Sequence, residues 1–208
     1  SPAQQAAWRG YIMDRDAPYN TNDTAPSLAT PETLFPANSR NDTNVALIQP
    51  LVSVVTGYRA LQDTVTSMRA VGCTNITVGA TWGLATLNNA APMTGAAAPG
   101  TPDIEKIMIL LTDGDNTQDR FTHGWGCGGS VSNAPIDTRT RSACGAVKAA
   151  GVRVYTIRLI SGNAALLRDC ASLGKDGTPL YFDVQNTAAL NGVFQQIVNE
   201  ILGTRLTH

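Results

Sequence analysis

Two short segments carry residue types that could do chemistry. Thr112-Asp113-Gly114-Asp115-Asn116 is a turn signal placed directly after the apolar run Ile107-Met108-Ile109-Leu110-Leu111. A carboxylate at the end of such a strand is a hard oxygen donor suited to Mg²⁺ or Ca²⁺. The other reading is an Asp that hydrogen-bonds its own turn. Thr74 stands just before a second apolar stripe at helical spacing. Its hydroxyl is either a neutral contact to a cation, directly or through water, or an ordinary helix N-cap. Asp113, Asp115, Thr117 and Asp119 alternate like the start of a calcium loop, but Gln118 and Gly124 stand where an EF-hand needs Gly and Glu. His123-Gly124-Trp125-Gly126-Cys127 offers a thiol near one His, with no second His nearby, and its glycines fit a loop better than a nucleophile site. Trp125 is then either a contact for a partner or a side chain buried under that loop.

The elements that must position these residues follow from periodicity. Tyr58, Leu61, Val65 and Met68 predict an amphipathic helix over Thr56 to Arg69. Ile76, Ala80, Gly83, Leu84 and Leu87 predict another from about Asn75 to Leu87, with Trp82 as packing. Ile107 to Leu111 has no polar face, so it reads as a strand buried on both sides. Helices are expected at about Thr138 to Ala150, after Gly162 around Leu166, Leu167 and Cys170, and after a capping Thr187. Strands are expected at Val45 to Ile48, Val152 to Leu159 and Tyr181 to Val184. Residues 1–44, rich in Pro, Asn, Asp and Thr, read as an irregular arm packed on the domain around Trp8, Tyr11 and Tyr19. Residues 45–208 read as one α/β domain, a doubly wound, mostly parallel sheet between helices. Ligands in such sheets bind at the carboxyl ends of the strands.

Composition narrows the function. Fifteen Lys and Arg against 16 Asp and Glu, with no basic block, exclude an electrostatic nucleic-acid surface. No apolar run approaches the ~20 residues that span a membrane. Ser1-Pro2, without an initiator Met, reads as the start of an excised or processed segment. A Mg²⁺-dependent hydrolase using Asp113 and Asp115 as ligands is the enzymatic alternative; the lack of a glycine-rich phosphate loop, a G-x-S-x-G elbow and a nucleophile–base pair counts against it.

Gly72-Cys73-Thr74-Asn75-Ile76-Thr77-Val78-Gly79, followed by Ile109-Leu110-Leu111-Thr112-Asp113-Gly114, resembles the von Willebrand factor type A (vWA) domain. More specifically, the chain is similar to the vWA domains of bacterial Tad/Flp (TadG-like) pilus-assembly proteins. That likeness rests on Trp8-Arg9-Gly10, Asp14 to Tyr19, Thr74-Asn75 with Trp82-Gly83, Leu111 to Thr117, Ala143-Cys144, Val154 to Arg158, Leu166 to Ala171, and Tyr181-Phe182 leading to Phe194. The resemblance implies a non-enzymatic adhesion or assembly module with a metal-ion-dependent adhesion site. Thr74 and Asp113 would be the metal contributors, and Gly114 would allow a tight turn beside the ion. Asp115, Asn116 and Trp125 would meet a protein partner such as a pilus or cell-envelope component. The setting would be extracytoplasmic, in the periplasm or at the cell surface, with any membrane anchor upstream. In a bacterial chain the three Asn-x-Thr strings at Asn22, Asn41 and Asn75 are discounted as glycosylation sites.

The sequence departs from the family in lacking an Asp-x-Ser-x-Ser motif; Asp63-Thr64-Val65-Thr66-Ser67 lacks the middle Ser and lies in a predicted helix. The metal site is therefore incomplete, and the sheet is expected to lack the family's first, central strand. Upstream polypeptide, another chain or a changed strand arrangement would have to complete it, or else the module is structural with a degenerate metal site. The four cysteines show no C-x-x-C spacing. Cys144 and Cys170 would meet if their helices share a face of the sheet, and the resemblance includes both positions. Cys73 and Cys127 both belong near the ligand edge and form the second expected pair. The alternative is four buried thiols.

Overall fold

The computed structural model describes residues 11–36, 46–122, 127 and 132–205. Three strands, Ile107–Thr112 (β1), Arg153–Leu159 (β2) and Tyr181–Val184 (β3), pair in parallel in the order β1-β2-β3. The helices are Val54–Ser67 (α1), Ile76–Leu87 (α2), Ala134–Ala149 (α3), Ala164–Cys170 (α4) and Leu190–Arg205 (α5). Each parallel step needs a crossover, and α3 and α4 supply the two here. The domain is α/β, a parallel sheet flanked by helices.

One face of the sheet carries α2, α3 and α4. Met108 and Val154 pack with Leu84 and Val147, while Leu110 packs with Ile76, Leu166, Leu167 and the two helical cysteines. The other face carries α5, whose Ile197 closes over Tyr155, Ile157, Leu180 and Val184. Burying an aliphatic side chain of this size contributes about 1.5–3 kcal/mol. These contacts therefore fix which side of each helix faces inward.

β1 differs from the expectation of a strand covered on both sides. Met108, Leu110 and Thr112 are buried, but Ile109 and Leu111 are each 40% exposed. The reason is position: among the described residues only β2 pairs with β1, and α5 closes over the residues of β2 and β3. α1 forms where periodicity places it, with the Ser53 side chain accepting from the Val55 N–H. Yet none of its residues is buried, and Tyr58, Val65 and Met68 of its apolar stripe are exposed.

Residues 46–48 carry no strand, and Val45 lies outside the described residues. α3 begins four residues earlier than periodicity indicates, because Pro135 sits in its first turn, where a missing N–H does no harm. Asn186, rather than Thr187, accepts from the Ala189 N–H at the 3₁₀ turn that leads into α5.

The arm over residues 11–36 is held by charge and aromatic contacts. Arg15 donates to the carbonyls of Asn22, Thr24 and Thr33, and its guanidinium lies 4.4 Å from the Phe35 ring centroid. Phe35 meets Trp82 of α2 edge-to-face at 4.8 Å, so Trp82 is a packing residue that ties the arm to the domain. Tyr11 and Tyr19 are half-buried, and Trp8 lies outside the described residues.

Candidate functional site

The carboxyl end of β1 turns sharply. The Thr112 hydroxyl donates to the Gly114 carbonyl at 2.9 Å, and Gly162, at φ +115°, passes so close that a Cβ there would stand 2.9 Å from that carbonyl. The glycine requirement thus falls on Gly162. Gly114 was expected to need its freedom, but it adopts no positive φ and a Cβ there would meet nothing within 4 Å.

Thr74 is fastened to this loop through its backbone. Its N–H donates to the Thr117 hydroxyl at 2.8 Å, and its carbonyl accepts from the N–H groups of Thr117 and Gln118. Thr74 is not the helix cap; Asn75 is, its Oδ1 accepting from the Val78 N–H at 3.1 Å. Among the described residues the Thr74 hydroxyl meets no hydrogen-bond partner. Asp113 and Asp115 are exposed, and among the described residues neither carboxylate meets a hydrogen-bond or ion-pair partner. The loop that carries both carboxylates is thus stapled to Thr74 at Thr117.

Asn116 points the other way. It is fully buried: its Oδ1 accepts from the Ile76 N–H at 2.8 Å and its Nδ2 donates to Asp137 and Thr140 at 2.8 and 3.1 Å. A side chain so placed cannot meet a partner, so its expected contact role is replaced by one in holding the loop. Asp137 accepts in turn from Asn163, the N-cap of α4. One line of amide and carboxylate groups thereby ties the loop after β1 to α2, α3 and α4. Trp125, the other expected contact residue, lies outside the described residues, as do His123 and Gly124.

A second polar cluster fixes the far side of the loop. Asp119 forms an ion pair with Arg139 and accepts from the N–H groups of Phe121 and Thr122. Asp14, brought in by the arm and 5% exposed, accepts from Asn75 Nδ2 and from the Arg120 N–H, while Arg120 pairs with Asp16. Periodicity gives no sign of Asp14, Asp119, Asp137 or Arg139, because a buried polar residue looks like a surface one in sequence. Both cysteine pairs are bonded. Cys144–Cys170 joins α3 to α4 inside the core, with the Cα atoms 5.0 Å apart. Cys73–Cys127, at 5.3 Å, joins the residue before Thr74 to an exposed position in the loop beyond β1.

Burial pushes the Asp14 carboxyl above its ordinary pKa, against the opposing pull of Asn75, the Arg120 N–H and the Arg139 charge. A carboxyl raised in the folded state binds more protons folded than unfolded. Its ionisation therefore lowers stability above that pKa, and the loss is relieved as pH falls from neutral toward the ordinary carboxylate range. Relative to Asp14→Asn, the native chain is expected to gain stability on going from neutral to mildly acidic pH. Urea unfolding of both proteins at the two pH values measures this; a difference that stays constant or grows toward neutral pH would count against it.

No protein-family model matches the chain, and no curated protein matches it. Among solved structures, the pilus adhesin SpaC from Lactobacillus rhamnosus GG matches with a TM-score of 0.50 and 16% identity, over 74% of this chain and 22% of that one. Proximal thread matrix protein 1 from the mussel byssus matches with a TM-score of 0.45 and 19% identity, over 69% of this chain and 31% of that one. The fold is α/β of the vWA or Rossmann kind. The chain spans between a fifth and a third of the solved chains it resembles.

Proposed function

We propose that the chain is a non-enzymatic, vWA-like binding module of a bacterial Tad/Flp-type pilus-assembly protein. It acts outside the cytoplasm and engages a protein partner at the carboxyl end of β1. The observation that supports this reading is the contrast within one loop. Asn116, Thr117 and Asp119 are committed to holding it, whereas among the described residues the Asp113 and Asp115 carboxylates, and the hydroxyl of Thr74 to which the loop is fastened, meet no hydrogen-bond or ion-pair partner. Side chains held in place yet left without a partner are available to a ligand. The two disulfides fit an oxidising compartment. Among the described residues no helix is long and apolar enough to cross a membrane, and in this reading the anchor lies upstream. SpaC is itself a pilus adhesin, which agrees with this assignment at the level of fold.

The donor set fits a divalent cation only in part. Among the described residues no group of three or more His, Cys, Asp or Glu is arranged to hold a metal. Mg²⁺ wants six oxygens in near-octahedral geometry. Asp113, Asp115 and Thr74 fall short of that, so water, a partner or further polypeptide must add oxygens. What this chain does by itself is present two exposed carboxylates on a loop held to Thr74 through Thr117 and to α2 and α3 through Asn116. The buried carboxylates of Asp14, Asp119 and Asp137 are all engaged with N–H donors or Arg139 and offer no general base beside Asp113.

Calorimetric titration with MgCl₂ tests the reading. The chain is expected to bind Mg²⁺ no tighter than about 1 mM, the weak end for protein sites. Asp113→Asn should abolish the heat that remains. Micromolar binding unaffected by Asp113→Asn, or turnover of p-nitrophenyl phosphate by the Mg²⁺-loaded protein, would contradict it.

A further inference from the structure

The turn that ends β2 holds a residue in an unusual conformation. Ile160 has φ +66°, and the Ser161 N–H donates to the Leu159 carbonyl across it at 2.7 Å, which makes a γ-turn of the rare, strained kind. A β-branched residue is among the least suited to that region, where glycine is at ease. Among the described residues the other non-glycine at positive φ is Asp103, of a type that tolerates it better. The turn is pinned from several sides. The Ile160 N–H donates to the Val184 carbonyl at 2.7 Å, and Arg158 Nε donates to the Gly162 carbonyl at 2.8 Å while its Nη1 pairs with Asp183. Packing does not explain why isoleucine stands there, since the residue is 53% exposed. Strain that the surroundings enforce, on a side chain the core does not need, points to a contact outside the folded chain.

The position of the turn says which contact. β1 and β2 are in register up to Thr112 and Arg158, so Gly114 and Ile160 each stand two residues past the last pair, on the same rim of the sheet. A Cβ on Gly162 would meet the Gly114 carbonyl, so the two turns touch. Asp113 and Asp115, on either side of Gly114, are exposed. One rim therefore offers an aliphatic side chain on one turn and two carboxylates on the next. We propose that Ile160 is the apolar contact for the partner, and that the partner presents a short segment in which an aliphatic side chain neighbours a lysine or arginine. The inference rests on the reading above that the partner docks at the carboxyl end of β1. The basic group follows from charge: a site that holds Mg²⁺ only weakly leaves its carboxylates to a cation that the partner brings. Arg158 does not compete, because Asp183 and the Gly162 carbonyl occupy its guanidinium. Burying the aliphatic pair supplies an attraction that salt does not screen, and the ion pair supplies one that it does.

Amide NMR titrations with three blocked tripeptides test the proposal: acetyl-Leu-Lys-Leu-amide, acetyl-Gly-Lys-Gly-amide and, with MgCl₂, acetyl-Leu-Asp-Leu-amide. The first is expected to shift residues 113–115 and 160–162. It should bind about fivefold or more tighter than the second, as partly burying one aliphatic side chain implies. Ile160→Asn keeps a residue that accepts positive φ but removes the aliphatic group. It should bring the two lysine peptides to equal affinity and leave the urea midpoint unchanged or raised. Equal affinities for the two lysine peptides in the native chain, a preference that survives Ile160→Asn, or a urea midpoint lowered by that change would each overturn the assignment of Ile160. Tighter binding of the aspartate peptide in MgCl₂ than of acetyl-Leu-Lys-Leu-amide would overturn the basic partner while leaving the docking site in place. So would lysine peptides that shift neither turn while MgCl₂ alone still moves residues 113–117. Peptide shifts confined to other surfaces, with none on residues 113–117 from MgCl₂ either, would bring down the docking reading itself.

Discussion

Asn116→Ala is expected to lower the unfolding free energy by about 3–4 kcal/mol, from lost hydrogen bonds and the void left behind. The side chain is fully buried and serves three partners on two helices. Truncation strands the Ile76 N–H at the start of α2 and removes a donor from the Asp137 carboxylate. Thr140 suffers least, since its hydroxyl keeps the Ile136 carbonyl and Thr77. Asn116→Asp preserves the shape and the bond from the Ile76 N–H but sets two carboxylates against each other, so it should do no better. Urea unfolding of both variants measures the effect. A loss for Asn116→Ala within about 0.5 kcal/mol, the range of ordinary surface changes, would show that the loop is held some other way.

Removing the buried disulfide with Cys144→Ala and Cys170→Ala is expected to cost about 3–4 kcal/mol. The chain-entropy model gives roughly 3.5 kcal/mol for a closed loop of this size, since the bonded residues are 26 apart in sequence. Both sulfurs also pack with Leu110, Leu166 and Leu167, so the paired alanines leave a small void besides. Thermal unfolding under matched redox conditions reads the result. A melting temperature unchanged from the native chain would mean that α3 and α4 are held by apolar contact and the Lys148 and Arg141 bonds to the end of α4 alone.

Much of the fold was legible in sequence because its signals are local. The apolar run of β1 and the alternation of strands with helical stripes place three parallel strands and their helices within a few residues. What escaped is what depends on neighbours. β1 reads as fully buried because its composition is apolar throughout, but whether a strand is central or at an edge is decided by what lies beside it. α1 has a clean apolar stripe, yet periodicity cannot say whether any element receives it. At the site, Thr74 and Asp113 stand out by their place beside predicted elements. Asn116 was misjudged because a polar residue in a turn ordinarily faces solvent, and only the approach of α2 and α3 makes it a core residue. Asp14 contributes from some sixty residues away in sequence to the cap residue Asn75, a pairing that no local pattern records.

The claim on which the function rests is that the loop after β1, with Thr74 beside it, forms one cation-seeking surface. Two-dimensional amide NMR of the chain titrated with MgCl₂ tests it most directly. The account expects weak, fast-exchange shifts gathered on Thr74 and on residues 113–117, and their loss in Asp113→Asn. Shifts centred elsewhere, for example on the Lys175 to Thr178 turn, or an unresponsive Thr74 while Asp113 saturates, would contradict it.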